Sequence, residues 1–199
     1  AVRDRERALR EPLRVGYGLT RLTLSVEDSA RIVADARRRY RLHNPARRFV
    51  ENAVYEALAA SGPEDLLPHT VRDRLHGTLE MRAAFEWMWP LLSPADLLHD
   101  LFGSAALLRS AARGRLPGDV RRRREAGGRS TAEGLTDDEW RSLHRPRSEH
   151  ADKVVWTTDD VPLLDEARSL LGPRRKRDPL EVRTYGHIVV DEAQDLSPM

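Results

Sequence analysis

Apolar residues recur at helical spacing through most of this chain, and nearly every such run is closed by a proline or a glycine. That punctuation confines the fold to short helices packed against one another. Ser25 and Asp28 form a capping box ahead of Val26, Ala30, Val33, Ala36 and Tyr40, which fall on one helix face up to about Arg41. Asn44-Pro45 reads as an N-cap and first-turn proline. The helix it opens turns Phe49, Val50, Ala53, Val54, Ala57 and Leu58 inward until Gly62-Pro63 stops it. A third run, from about Thr70 to Met88, carries Val71, Leu75, Leu79 and Phe85, with a break expected near Gly77. Ser93-Pro94 starts a short helix holding Leu97, Leu98, Leu101 and Phe102, ended by Gly103. Thr136 and Glu139 cap another around Trp140 and Leu143. The last starts at Thr158, carries Val161, Leu164, Ala167, Leu170 and Leu171, and stops at Gly172-Pro173. The Trp and Phe side chains sit at helical spacing, so core positions are expected for them rather than a docking patch or a base-stacking platform.

Two stretches leave the helical period. Residues 12–24 alternate apolar and polar about Gly16-Tyr17-Gly18, a β-hairpin signal. They do not form a dinucleotide loop, because Arg21 stands where the third glycine belongs and no helix opens there. Ile188-Val189-Val190 is a continuous β-branched run of the kind buried on both faces of a parallel sheet. The expected fold class is therefore mainly α with a small β-hairpin, plus a C-terminal strand whose ladder partners lie elsewhere. Residues 1–10 alternate arginine with acid and read as the end of a solvated helix from a longer chain. Between about residues 114 and 134 the chain has Pro117-Gly118, Arg121-Arg122-Arg123-Arg124 and Gly127-Gly128 with almost nothing apolar, which reads as a mobile loop.

Composition narrows the function classes. At 40% hydrophobic the 199 residues can bury a core, while 33% charged residues give a wet surface. No apolar stretch approaches the roughly 18 residues that span a bilayer, and no secretory pattern opens the chain. The absence of cysteine excludes disulfides, thiolate metal sites and cysteine nucleophiles, and a cytoplasmic location is expected. A net charge of +2 supplies no strong overall field for polyanions. Lys153 and Lys176 are the two lysines among 34 basic residues, a bias expected of a GC-rich genome, so lysine chemistry has little to draw on. The seven histidines are scattered, with neither His-Glu-x-x-His nor Gly-x-Ser-x-Gly spacing.

Chemistry concentrates at the C-terminal end. Asp191 and Glu192 follow the β-branched run, where open α/β sheets place their ligands. In a nucleotide hydrolase that arrangement has a defined use. Asp191 holds Mg²⁺ through its water shell, Glu192 orients the water that attacks the γ-phosphate, and Gln194 reaches that phosphate. The similar string Leu163-Leu164-Asp165-Glu166-Ala167 lies inside a helical period and reads as an exposed acidic turn.

The run Val189-Val190-Asp191-Glu192-Ala193-Gln194-Asp195 is similar to motif II, the Walker B element, of UvrD/Rep-type superfamily-one helicases. Three further stretches resemble HelD-like proteins, including the HelR branch. They are Arg47-Arg48-Phe49-Val50, Trp89-Pro90-Leu91-Leu92-Ser93-Pro94 leading to Leu97-Leu98-His99-Asp100-Leu101-Phe102, and Trp156-Thr157-Thr158-Asp159-Asp160-Val161-Pro162-Leu163-Leu164-Asp165-Glu166-Ala167. HelD-like proteins are bacterial motor ATPases that bind RNA polymerase. The resemblance implies that residues 1–172 are the helical insertion that interrupts the first RecA-like motor domain, with 173–183 a linker or shortened loop. Residues 184–199 then return to the motor sheet, which is incomplete here. It implies Glu192 as the catalytic carboxylate, Asp191 and Gln194 as nucleotide-site residues, and ATP with Mg²⁺ as cofactors. The implied partner is core RNA polymerase, with weak DNA contact and no membrane, and the implied role is nucleic-acid release and polymerase recycling.

Two departures qualify these expectations. No Gly-x-x-x-x-Gly-Lys-[Ser/Thr] loop occurs, so the chain by itself is expected not to hydrolyse ATP. Only a dozen residues, rich in basic side chains and proline, separate Gly172 from Tyr185, shorter than is usual for the family. A UvrD-like DNA helicase or translocase and a non-catalytic helical interaction module are the other two readings of the sequence.

Overall fold

The structure, a computed structural model, describes residues 2–113, 137–174 and 189. It is mainly helical with one two-stranded antiparallel hairpin. Strands β1 (Leu13–Tyr17) and β2 (Thr20–Leu24) pair with Val15 opposite Leu22 and Leu13 opposite Leu24. The turn is Gly18-Leu19, later than the Gly16-Tyr17-Gly18 expectation. Gly18 has φ 61°, the left-handed conformation that the first residue of a two-residue hairpin loop requires.

Helices α1 (Val26–Arg39) and α2 (His43–Ala60) pack on each other, and α2 also covers β2 and α3 (Pro68–Leu75). The run expected over 70–88 is broken as anticipated: α4 (Leu79–Met88) starts after Thr78, whose hydroxyl donates to the Leu75 carbonyl. These elements enclose a first core that includes Leu22, Leu24, Val50, Leu58, Met81 and Trp89. A second core around Leu98, Phe102, Leu108, Trp140 and Leu171 gathers α5 (Pro94–Phe102), α6 (Ala105–Arg113), α7 (Asp137–Leu143) and α8 (Val161–Leu171). Phe85, Trp89 and Phe102 are buried, as their spacing predicts, whereas Trp87 is only partly buried; Trp140 is buried in the second core. Among the described residues no helix is long and apolar enough to cross a membrane.

Local signals located several helix ends. Ser25 accepts from the Asp28 amide, and Ser93 with Asp96 forms a reciprocal capping box. Three expectations are corrected. Residues 2–10 are not a solvated helix: a short 3-10 turn (Val2–Arg5) leads into a strap lying on α1 and α4. Along that strap the Arg7 amide donates to the Met88 carbonyl, the Leu9 amide to Ser29 Oγ, and Trp87 Nε1 to the Ala8 carbonyl. Asn44 does not cap its helix; Leu42 occupies the cap position without a side-chain bond, and Asn44 lies inside the first turn and buried. Val161 and Leu170 are exposed, so α8 buries mainly Ala167 and Leu171. The segment expected as a loop over 114–134 and the Thr136 cap lie outside the described residues.

The chain between α7 and α8 is pinned by a buried carboxylate. Asp160, with 2% of its surface exposed, closes a capping box on Thr157 and accepts from both terminal nitrogens of Arg145 at 2.6 and 3.1 Å. The Arg145 amide donates to the Phe102 carbonyl, and its guanidinium lies over the Phe102 ring. The bonds from Arg145, then those from Thr157, lower the Asp160 pKa from 3.8 to about 2 against the opposing effect of burial. The ionised pair therefore contributes stability in full above the unfolded value, and that contribution is lost as pH falls through about 2. It is worth about 2 kcal/mol. Asp160→Asn is expected to remove it at neutral pH and to flatten the stability profile between about pH 4 and pH 2, read from urea midpoints.

Candidate functional site

The two cores meet at the start of α2, and the joint is built from polar groups. Asn44 Nδ2 donates to the Leu92 and Gly172 carbonyls, both at 2.9 Å, and Asn44 Oδ1 accepts from the Leu92 amide at 3.0 Å. Both amide hydrogens and the amide oxygen of this buried side chain are thus satisfied by main chain. One amide ties α2 to the α4–α5 connection and to the end of α8.

Beside it, His43 stacks on Trp89 with ring centroids 5.1 Å apart. Trp89 Nε1 donates to the His43 carbonyl, and His43 Nε2 donates to the Pro90 carbonyl at 2.8 Å. His43 Nδ1 lies 3.0 Å from Glu6 Oε1, and Arg37 Nε donates to Glu6 Oε2 at 2.8 Å. Glu6 is buried despite its charge because Arg37 and His43 each meet one carboxylate oxygen.

Gly172 ends α8 with φ 72° and ψ 175°, a conformation essentially confined to glycine. A Cβ here would stand 3.0 Å from Leu42 Cδ1 and 3.1 Å from Pro45 Cδ. The glycine that the sequence marked as a helix stop thus also permits close approach of α8 to the start of α2.

An open groove of about 590 Å³ lies over this joint. Pro45, Leu91 and Pro173 supply its apolar surface, and arginines from α2, α3 and the end of the described chain surround them. Arg47 is fixed in place: Nε donates to Glu51 at 2.6 Å, and Nη1 to the Phe85 and Trp89 carbonyls at 3.1 and 2.5 Å. A smaller cleft of about 310 Å³ is lined by Leu97 and Asp100 of α5, where Asp100 pairs with both Arg5 and Arg147.

Asp191, Glu192 and Gln194 lie outside the described residues, as do Ile188 and Val190. Val189 lies outside any regular element and is 82% exposed. What the structure does bring together is the three stretches that suggested the family. Arg47 of the first binds the Trp89 carbonyl of the second, and Leu97, Leu98 and Phe102 of the second share a core with Leu164 and Ala167 of the third. Sequence reasoning did not single out Asn44 as a joint or Arg72 as part of a groove. The available signal for Asn44 was its place before a helical proline, which fits a cap equally well. No protein-family model and no curated protein matches this chain.

Proposed function

We propose that this chain is the helical insertion of a HelD-like motor ATPase, followed by the motif II strand of an incomplete RecA-like domain. The protein that carries it would bind core RNA polymerase and use ATP hydrolysis to release nucleic acid and recycle the enzyme. The observation that carries this reading is the run Ile188 to Asp195, in which two adjacent carboxylates and an amide follow a β-branched segment. The packing of the resembling stretches supports it: Arg47 of the first binds the Trp89 carbonyl of the second, and α5 of the second packs on α8 of the third.

The donor set suits the implied cofactor. Carboxylate oxygens are the ligands Mg²⁺ prefers, and Asp191 would hold the ion, which neutralises charge on the β- and γ-phosphates when bound. Glu192 would accept a proton from the attacking water and fix its orientation, and Gln194 would sense the phosphate. The phosphate-cradling loop is not among these residues, so Asp191 and Glu192 supply only one side of such a site.

The test is binding of the intact protein to core RNA polymerase and to single-stranded DNA, side by side at physiological salt. Tight polymerase binding with weak, salt-sensitive DNA binding is the expected result. Tight DNA binding with none to polymerase would transfer the assignment to a UvrD-like translocase. Failure to bind either would leave the helical interaction module as the better description.

A further inference from the structure

The groove over the joint carries positive charge that its own acids do not balance. Glu51 is its one carboxylate among the described residues, and Arg47 already engages it. Arg72 reaches Asn52 and lies over the Tyr55 ring, with no carboxylate partner among the described residues. Arg48 is exposed and makes no hydrogen bond or ion pair with any described residue. His76 and Arg174 also line the groove. Between these groups lies the apolar surface of Pro45, Leu91 and Pro173.

Shape and chemistry together choose the occupant. A concavity of about 590 Å³ holds a few side chains of one extended strand rather than a duplex. Among the described residues no Phe, Tyr or Trp lines it, so they supply no broad stacking platform of the kind on which single-stranded nucleic acid is normally held. Guanidinium forks match carboxylates in two-point hydrogen bonds. The prolines and Leu91 offer contacts to aliphatic side chains, which a phosphate backbone does not use.

We propose that this groove docks an acidic, extended protein segment in which carboxylate and aliphatic side chains alternate. The carboxylates pair with Arg48 and Arg72, and the aliphatic side chains lie on Pro45, Leu91 and Pro173. Because Arg48 and Arg72 project from different helices, the site recognises spaced carboxylates rather than a single anion. The inference needs neither nucleotide nor polymerase and is independent of the motor assignment.

The experiment is fluorescence anisotropy with the full chain and a labelled peptide alternating glutamate and leucine, without nucleotide. Unlabelled oligothymidylate of matching charge serves as competitor. The peptide is expected to bind and to weaken as salt rises. Arg48→Glu is expected to reduce its affinity about tenfold or more, the worth of one charge-assisted hydrogen bond. Arg21→Glu, the same charge change on the exposed face of β2, should alter affinity less than about twofold if the groove is the site. Arg48→Gln should fall between wild type and Arg48→Glu, with unchanged urea midpoints showing that the fold is kept. Three results would overturn the proposal: no peptide binding at physiological salt, equal losses in the Arg48 and Arg21 variants, or oligothymidylate as the tighter ligand. The last would make the groove a nucleic-acid contact.

Discussion

Replacing Asn44 with alanine is expected to destabilise the fold by about 3 kcal/mol, a large effect for one small polar side chain. The change deletes three hydrogen bonds and leaves the Leu92 amide, the Leu92 carbonyl and the Gly172 carbonyl without their partner. Leu92 is buried, so water cannot readily replace what is lost. Asn44→Asp sharpens the test. Aspartate keeps an oxygen for the Leu92 amide but sets a second, charged oxygen against two carbonyls, so it should be no better than alanine at neutral pH. Urea unfolding followed by Trp fluorescence measures both, because Trp89 reports the first core and Trp140 the second. If the joint holds the cores together, wild type is expected to unfold in one transition and the variants in two. A loss below about 1 kcal/mol would show that apolar contacts, not Asn44, carry the joint.

Asn44 also marks the limit of what the sequence could show. Helix ends depend on neighbours within a turn, and they were legible: Ser25 and Ser93 as caps, the break near Gly77, Gly172 as a stop. Burial of Phe85, Trp89 and Phe102 followed from helical spacing for the same reason. The strap at residues 2–10 was misread because alternating charge implies solvent only when partners are absent. Arg37, 31 residues away, pairs with Glu6, and His43, 37 residues away, lies against its other carboxylate oxygen. Asp160 and Arg145 likewise gain their meaning from a fold that closes the chain back onto Phe102. The groove was invisible because its walls come from positions 44 to 174 and no local pattern joins them. The candidate catalytic residues show the reverse case. The proposed roles of Asp191 and Glu192 rest on consecutive positions of the sequence alone, and no part of that local reading depends on how the helical body packs.

That local legibility makes Glu192→Gln the decisive variant for the motor assignment. In the intact motor, the substitution is expected to slow phosphate release by about 10²- to 10⁴-fold, the range attached to one positioned general base. Nucleotide binding should remain, because glutamine keeps the side-chain shape and Asp191 still holds the ion. The signature is therefore a fall in kcat with little change in apparent nucleotide affinity, the pattern for a group that acts only in the transition state. Asp191→Asn is the necessary contrast. It removes the charge expected to hold Mg²⁺, so it should weaken Mg²⁺-dependent nucleotide binding as well as turnover. Identical behaviour of the two variants would mean that the carboxylates do not divide the labour as proposed. Turnover unchanged by Glu192→Gln would remove the catalytic reading of motif II altogether. The helical body would then have to be understood through its groove and its joint, as an interaction module whose acidic pair is only a surface feature.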